Sequence, residues 1–142
     1  MMLIDSNIII YAAQPEYPEL RRFIAEHAPA VSAVSYIEVL GYHQLTQQER
    51  AYFEEFFDAA QVLELSQNVV DRAVQLRQLK KMTLGDSLIA ATALVHNLTL
   101  VTRNDEDFKW IDDLDVLNPF SQNSEEHANS SQLPQDTDSG EI

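Results

Sequence analysis

Apolar residues come along this chain in short blocks whose period changes from one block to the next. Met2-Leu3-Ile4 is a continuous apolar run, Asp5-Ser6-Asn7 interrupts it, and Ile8-Ile9-Ile10-Tyr11-Ala12 follows. That order predicts a buried strand, a polar turn and the start of a helix. Pro18 suits the first position of a second helix, with Leu20, Phe23 and Ile24 at helical spacing as far as Ala28. Pro29 closes it, and the run 30–34 reads as the next strand. Ser35-Tyr36-Ile37-Glu38 has the form of a capping box and predicts a helix opening there, through Val39 and Leu40.

The same signature recurs at Thr46-Gln47-Gln48-Glu49, ahead of Tyr52, Phe53, Phe56 and Phe57, a helix with an aromatic face. Residues 62–65 read as a third strand, and 69–80 as a helix that turns Val70, Ala73, Val74 and Leu76 inward. The stretch 86–96 is apolar on most sides, which predicts a central helix with Asn97 as its left-handed cap. A fourth strand is expected over 98–102, a turn anchored by Phe108, Trp110 and Ile111, and an edge strand at Val116-Leu117. Strands alternating with helices imply an α/β domain: a central parallel sheet of four or five strands with helices on both faces.

Composition narrows the function. The chain has 142 residues, 23 acids against 9 bases, a net charge of −14 and no cysteine. One domain of ordinary size is expected. A disulfide framework, a thiolate zinc site and a thiol nucleophile are excluded. Apolar runs such as 88–95 fall short of the roughly 20 residues a bilayer needs, and the first residues lack a signal peptide's basic region. A cytoplasmic protein with no membrane association is the expectation.

Residues 121–142 hold five of the acids (Glu125, Glu126, Asp136, Asp138, Glu141), no base, and mostly Ser, Asn, Gln and Pro. They read as a disordered acidic tail, with the folded domain over 1–120. Removing those five acids from the 23 leaves 18 against 9 bases, so the domain itself is net −9. Such a surface does not suit a non-specific DNA binder. Either nucleic acid is not the partner or several acids are gathered and neutralised by something else.

The positions of the acids favour the second alternative. In a parallel α/β sheet, ligands bind outside the carboxyl ends of the strands. Asp5 follows the first strand, Glu38 falls in the helix after the second, and Thr102-Arg103-Asn104-Asp105 follows the fourth. Asp86 begins the buried helix and reaches the same rim if that helix start tilts over the crevice. Carboxylates crowded there repel one another unless a cation lies between them. A hard dication takes oxygen ligands, and Mg²⁺ keeps to one or two carboxylates plus water and phosphate. Such a site activates water for attack on a phosphodiester.

Four segments, Leu3-Ile4-Asp5-Ser6-Asn7, Ser35-Tyr36-Ile37-Glu38, Gly85-Asp86-Ser87-Leu88-Ile89-Ala90-Ala91 and Leu100-Val101-Thr102-Arg103-Asn104, together resemble the acidic blocks of PIN-domain ribonucleases. The likeness is greatest to the VapC toxins of bacterial type II toxin–antitoxin pairs, and it covers residues 2–118 in order. The resemblance implies a PIN-like fold and Mg²⁺- or Mn²⁺-dependent endoribonuclease activity on RNA. It also implies a homodimer and a cognate VapB-like antitoxin that occludes the site. Asp5, Glu38 and Asp86 match the family's three metal-site carboxylates, with Ser6 and Thr102 in supporting places. Asn104 stands where many relatives carry a fourth acid, so it would complete the catalytic and metal set with a neutral oxygen. Asp105 and Asp107 are nearby substitutes.

Each feature also has a structural reading. Ser35-x-x-Glu38 and Thr83-x-x-Asp86 both fit helix capping, as Thr46-x-x-Glu49 does where no strand precedes it. Asp5 could simply cap the helix after it. Arg72, Arg77, Lys80 and Lys81 fit a solvated helix face or a landing place for an RNA backbone. Arg103 could hold a phosphate or pair with Asp105. The aromatic helix at 46–60 is expected to supply core or part of a dimer or antitoxin contact. A phospho-accepting receiver domain fits poorly, because Asp5 has no acidic neighbour and Thr102 is followed by Arg. A catalytically inactive PIN-fold binding scaffold is the alternative that the loss of the fourth acid keeps open.

Overall fold

The structure is a computed structural model that describes residues 1–120. The acidic segment 121–142, expected to be a disordered tail, lies outside the described residues. The chain runs β1 (Met2–Ile4), α1 (Ser6–Ala12), α2 (Pro18–His27), β2 (Ala30–Ser32), α3 (Ala33–Leu40), α4 (Gln47–Ala59), β3 (Val62–Leu63), α5 (Gln67–Leu79), α6 (Leu84–His96), β4 (Thr99–Val101) and β5 (Val116–Leu117). A short 3₁₀ turn, Asp105–Asp107, stands between the last two strands.

All five strands pair in parallel, in the order β3-β2-β1-β4-β5. The chain builds outward from β1 to β2 and β3, then returns to lay β4 on the other side of β1. The direction of winding reverses at β1, and in open α/β sheets the crevice for ligands opens beyond the carboxyl ends of the strands at such a point. Asp5 is the residue that follows β1.

Successive side chains of a strand point to opposite faces, and this divides the core in two. Leu3, Ala30 and Leu100 pack with Val69, Ala73 and Leu76 of α5 and Ile89, Ala90 and Ala93 of α6. Ile4, Val31 and Val101 pack with Ile8 and Ile9 of α1, Val39 of α3 and Phe53 and Phe57 of α4. Phe108 and Ile111, both buried, close the first of these cores and fix the segment after β4.

Several boundaries differ from the sequence expectations. The second strand stops at Ser32, whose hydroxyl accepts from the Val34 N–H at 3.0 Å and caps α3. Ser35 therefore sits inside α3 rather than capping it, and Glu38 is its sixth residue, not one of its first turn. The third strand is only Val62–Leu63, and the fourth is Thr99–Val101. In α5 Val69, Ala73 and Leu76 face the core, whereas Val70 and Val74 are 39% and 51% exposed. Both inward sets fit a helical period, and only the packing partner selects between them. The Thr46–Glu49 capping box forms in full, and Asn97 takes the left-handed cap with φ 56°.

Candidate active site

Asp5 is buried at the carboxyl end of β1, where it caps α1. Its Oδ1 accepts from the Ile8 N–H at 3.0 Å, and the Thr102 hydroxyl bonds its carboxylate. Thr102, fully buried after β4, also accepts from the Asn104 N–H at 3.1 Å. The capping and site readings of Asp5 are therefore compatible. Burial pushes the Asp5 carboxyl up to about 6 from an ordinary 3.8. The charges of Asp86 and Glu38 push the same way, while the bonds from Thr102 and Ile8 oppose the rise.

Asp86 stands in the first turn of α6, its N–H donating to the Thr83 hydroxyl at 3.1 Å. Its carboxyl is also raised, first by burial, then by the charge of Asp107, then by that of Glu38. Glu38 reaches the same place from α3. Its Oε1 lies 2.5 Å from the Ser6 hydroxyl, and its carboxylate rests on Gly85 of α6. The structure thus brings Asp5, Glu38 and Asp86, drawn from three separate elements, within electrostatic reach of one another. It also brings Asp107 to Asp86, a neighbour whose loop position gave no reason to rank it first.

Asn104 is exposed and opens the 3₁₀ turn, its carbonyl accepting from the Asp107 N–H at 3.0 Å. Asp105 is turned to Lys109, 3.4 Å away, and to Asn118, 3.1 Å away. Of the two readings of Arg103, the pairing with Asp105 does not form. The Arg103 guanidinium instead lies over the rings of Phe120 and Tyr11, at 4.3 and 5.1 Å.

Among the described residues, no group of three or more His, Cys, Asp and Glu side chains is disposed to hold a metal ion between them. The donor chemistry nevertheless fits a hard dication. Three carboxylates lie within electrostatic reach of one another, two of them pushed toward their neutral form by burial and by like charge, and a cation there would relieve both. One or two direct carboxylate ligands with water completing the shell would satisfy Mg²⁺.

The PIN domain family model matches residues 2–114. The chain belongs to the PIN-domain family. It is similar to a chain of a "Toxin-antitoxin complex from Klebsiella pneumoniae", with TM-score 0.68, 29% identity, and coverage of 84% of this chain and 98% of that one. It is also similar to VapBC2 from Rickettsia felis, solved bound to a promoter DNA fragment, at TM-score 0.69 and 24% identity over 83% and 98% of the two chains. DNA-bound VapBC from Salmonella typhimurium gives TM-score 0.72 at 19% identity, over 82% and 97%. No match is found among curated proteins.

As a PIN domain the chain has an α/β fold, and the five-stranded parallel sheet agrees with the expectation of four or five. No helix among the described residues is long and apolar enough to cross a membrane. Ser35 and Gly85 are the residues about the site that sequence reasoning gave no role in it. Ser35 was hidden by the capping-box pattern, and Gly85 carries no side chain to notice.

Proposed function

We propose that this protein is a metal-dependent endoribonuclease and the toxin of a type II toxin–antitoxin pair. Asp5, Glu38 and Asp86 would hold Mg²⁺ or Mn²⁺, one or two of them directly and the rest through water, with Asn104 or Asp107 completing the set. The observation that carries this reading is the shared electrostatic environment of three carboxylates supplied by α3, α6 and the end of β1 at the sheet's reversal point. A dication there would supply positive charge to an attacking water and to the scissile phosphate. The chain's own residues do the rest. Thr102 fixes the Asp5 carboxylate, Ser6 fixes that of Glu38, and Thr83 sets the first turn that presents Asp86.

On this reading RNA would lie at the α5–α6 junction. An open depression lined by Arg77, Gln78, Leu79, Lys80, Lys81 and Met82 spans the α5–α6 junction. None of the ion pairs among the described residues involves Arg72, Arg77, Lys80 or Lys81. The Lys80 ammonium lies 5.5 Å from the Trp110 ring, the indole N–H donates to the Asp107 carbonyl at 3.1 Å, and Asp107 in turn faces Asp86. Lys80 is thereby linked through Trp110 to the segment that carries Asp107. The exposed Tyr36, Ile37 and Tyr52 on α3 and α4 are apolar surface suited to a second copy or a VapB-like antitoxin. The likeness to toxin–antitoxin complexes supports that partner.

The test is cleavage of single-stranded RNA by the full chain with Mg²⁺, Mn²⁺ or EDTA, beside Asp86→Asn. The wild type should cut only with metal. The variant should lose at least about 100-fold in rate while keeping its circular dichroism spectrum. Wild-type cleavage by Asp86→Asn would sink the assignment. An inactive binding scaffold is the second reading, favoured by the neutral Asn104, and it predicts no saturable Mn²⁺ binding.

A further inference from the structure

The Glu38 carboxylate is held on two sides. On one side stands a short chain of hydroxyls. The buried Ser87 and Thr92 of α6 each donate back to a carbonyl of their own helix, Leu84 and Leu88, at 2.7 Å, the ordinary habit of such side chains. Ser35, fully buried inside α3, lies instead 2.9 Å from the Ser6 hydroxyl, which lies 2.5 Å from Glu38 Oε1. A hydroxyl has one proton, and an ionised carboxylate only accepts. Ser6 therefore donates to Glu38, and Ser35 donates to Ser6.

On the other side is an absence of atoms. A Cβ built on Gly85 would collide with Glu38 Oε2 and come within 3.4 Å of its Cδ. No glycine among the described residues has a positive φ, so backbone conformation does not call for glycine here. A helix position of this kind ordinarily favours alanine. What glycine provides at 85 is room for the carboxylate beside Asp86.

We propose that Ser35 and Gly85 are positioning residues that hold the Glu38 carboxylate against the first turn of α6, in the orientation from which Glu38 and Asp86 serve one dication. This rests on the metal-site reading above. Because the colliding atom ends a flexible side chain, Gly85→Ala should move the carboxylate aside and leave the fold intact.

The experiment compares full-length wild type, Gly85→Ala, Ser35→Ala and Ser35→Thr by thermal melting in EDTA, Mn²⁺ calorimetry and RNA cleavage. Gly85→Ala should melt at or above the wild-type temperature yet bind Mn²⁺ about 10- to 100-fold more weakly, as loss of an outer support does at metal sites. Ser35→Ala should weaken Mn²⁺ binding, and Ser35→Thr, which keeps the hydroxyl, should restore it. Wild-type Mn²⁺ affinity in Gly85→Ala overturns the proposal. So does a loss of affinity that merely tracks melting temperature across all three variants. A wild type that binds Mn²⁺ but cuts no RNA defeats the nuclease reading and leaves this one standing. A wild type with no saturable Mn²⁺ site defeats both.

Discussion

Replacing Asp5 by Asn should make the metal-free protein more stable at neutral pH, although it removes a hydrogen-bonded buried side chain. In the folded chain Asp5 takes up its proton near pH 6, against an ordinary 3.8. Between those values the folded state holds a proton that the unfolded chain has released, so the neutral form favours folding. That contribution is complete below about pH 3.8 and is lost as pH rises through about 6. A gap of about 2 pH units at 1.36 kcal/mol each is about 3 kcal/mol, the cost of keeping this carboxylate ionised and buried at pH 7. The Asn amide has the same shape without the charge, and its oxygen can still accept from the Ile8 N–H. Asp5→Asn should therefore exceed the wild type by up to about 3 kcal/mol at pH 7 in EDTA, and the two should converge toward pH 4.

Urea denaturation followed by circular dichroism between pH 4 and 7.5 measures the difference. Titrating groups distant from Asp5 are common to both proteins and drop out of it, leaving Asp5 and the two carboxylates it interacts with, Asp86 and Glu38. Mn²⁺ at about 1,000 times its Kd should reverse the order, since it then adds about 4.1 kcal/mol to the protein that binds it. Parallel pH curves, or an Asp5→Asn variant less stable than wild type at pH 7, would refute the reasoning.

The cation-lined depression makes a salt prediction. With cleavage blocked by Asp86→Asn, single-stranded RNA binding measured by fluorescence anisotropy should depend less steeply on salt once Arg77, Lys80 and Lys81 become Ala. Three lost phosphate contacts reduce the log–log slope by about 2, and an unchanged slope places the RNA elsewhere. At the fourth ligand position, Asp107→Asn should weaken Mn²⁺ binding more than Asn104→Ala does, because Asp107 is the foremost charged neighbour of Asp86. The reverse order in calorimetry would return the fourth place to Asn104.

What the sequence determined by itself is the local record. A three-residue apolar run ending in Asp5, the Thr46 capping box, the left-handed Asn97 and the nearly all-apolar 86–96 segment each depend on neighbours a few residues away, and each forms as read. Strand–helix alternation was enough for a parallel sheet, and four ordered acidic blocks were enough to suggest the family. Tertiary structure decided what local pattern leaves degenerate. Ser32 and Ser35 are both acceptable caps, and the sheet pairing that ends β2 at Ser32 chose the first, freeing Ser35 for Ser6. Val70 and Val74 have the same period as Val69, Ala73 and Leu76, and only the position of α6 picked the inward set. The return of β4 to the side of β1 placed Thr102 on Asp5, and the packing of α3 on α6 set Glu38 over Gly85. Those are contacts between residues tens of positions apart. No local periodicity encodes them, because their energy exists only once the elements have packed.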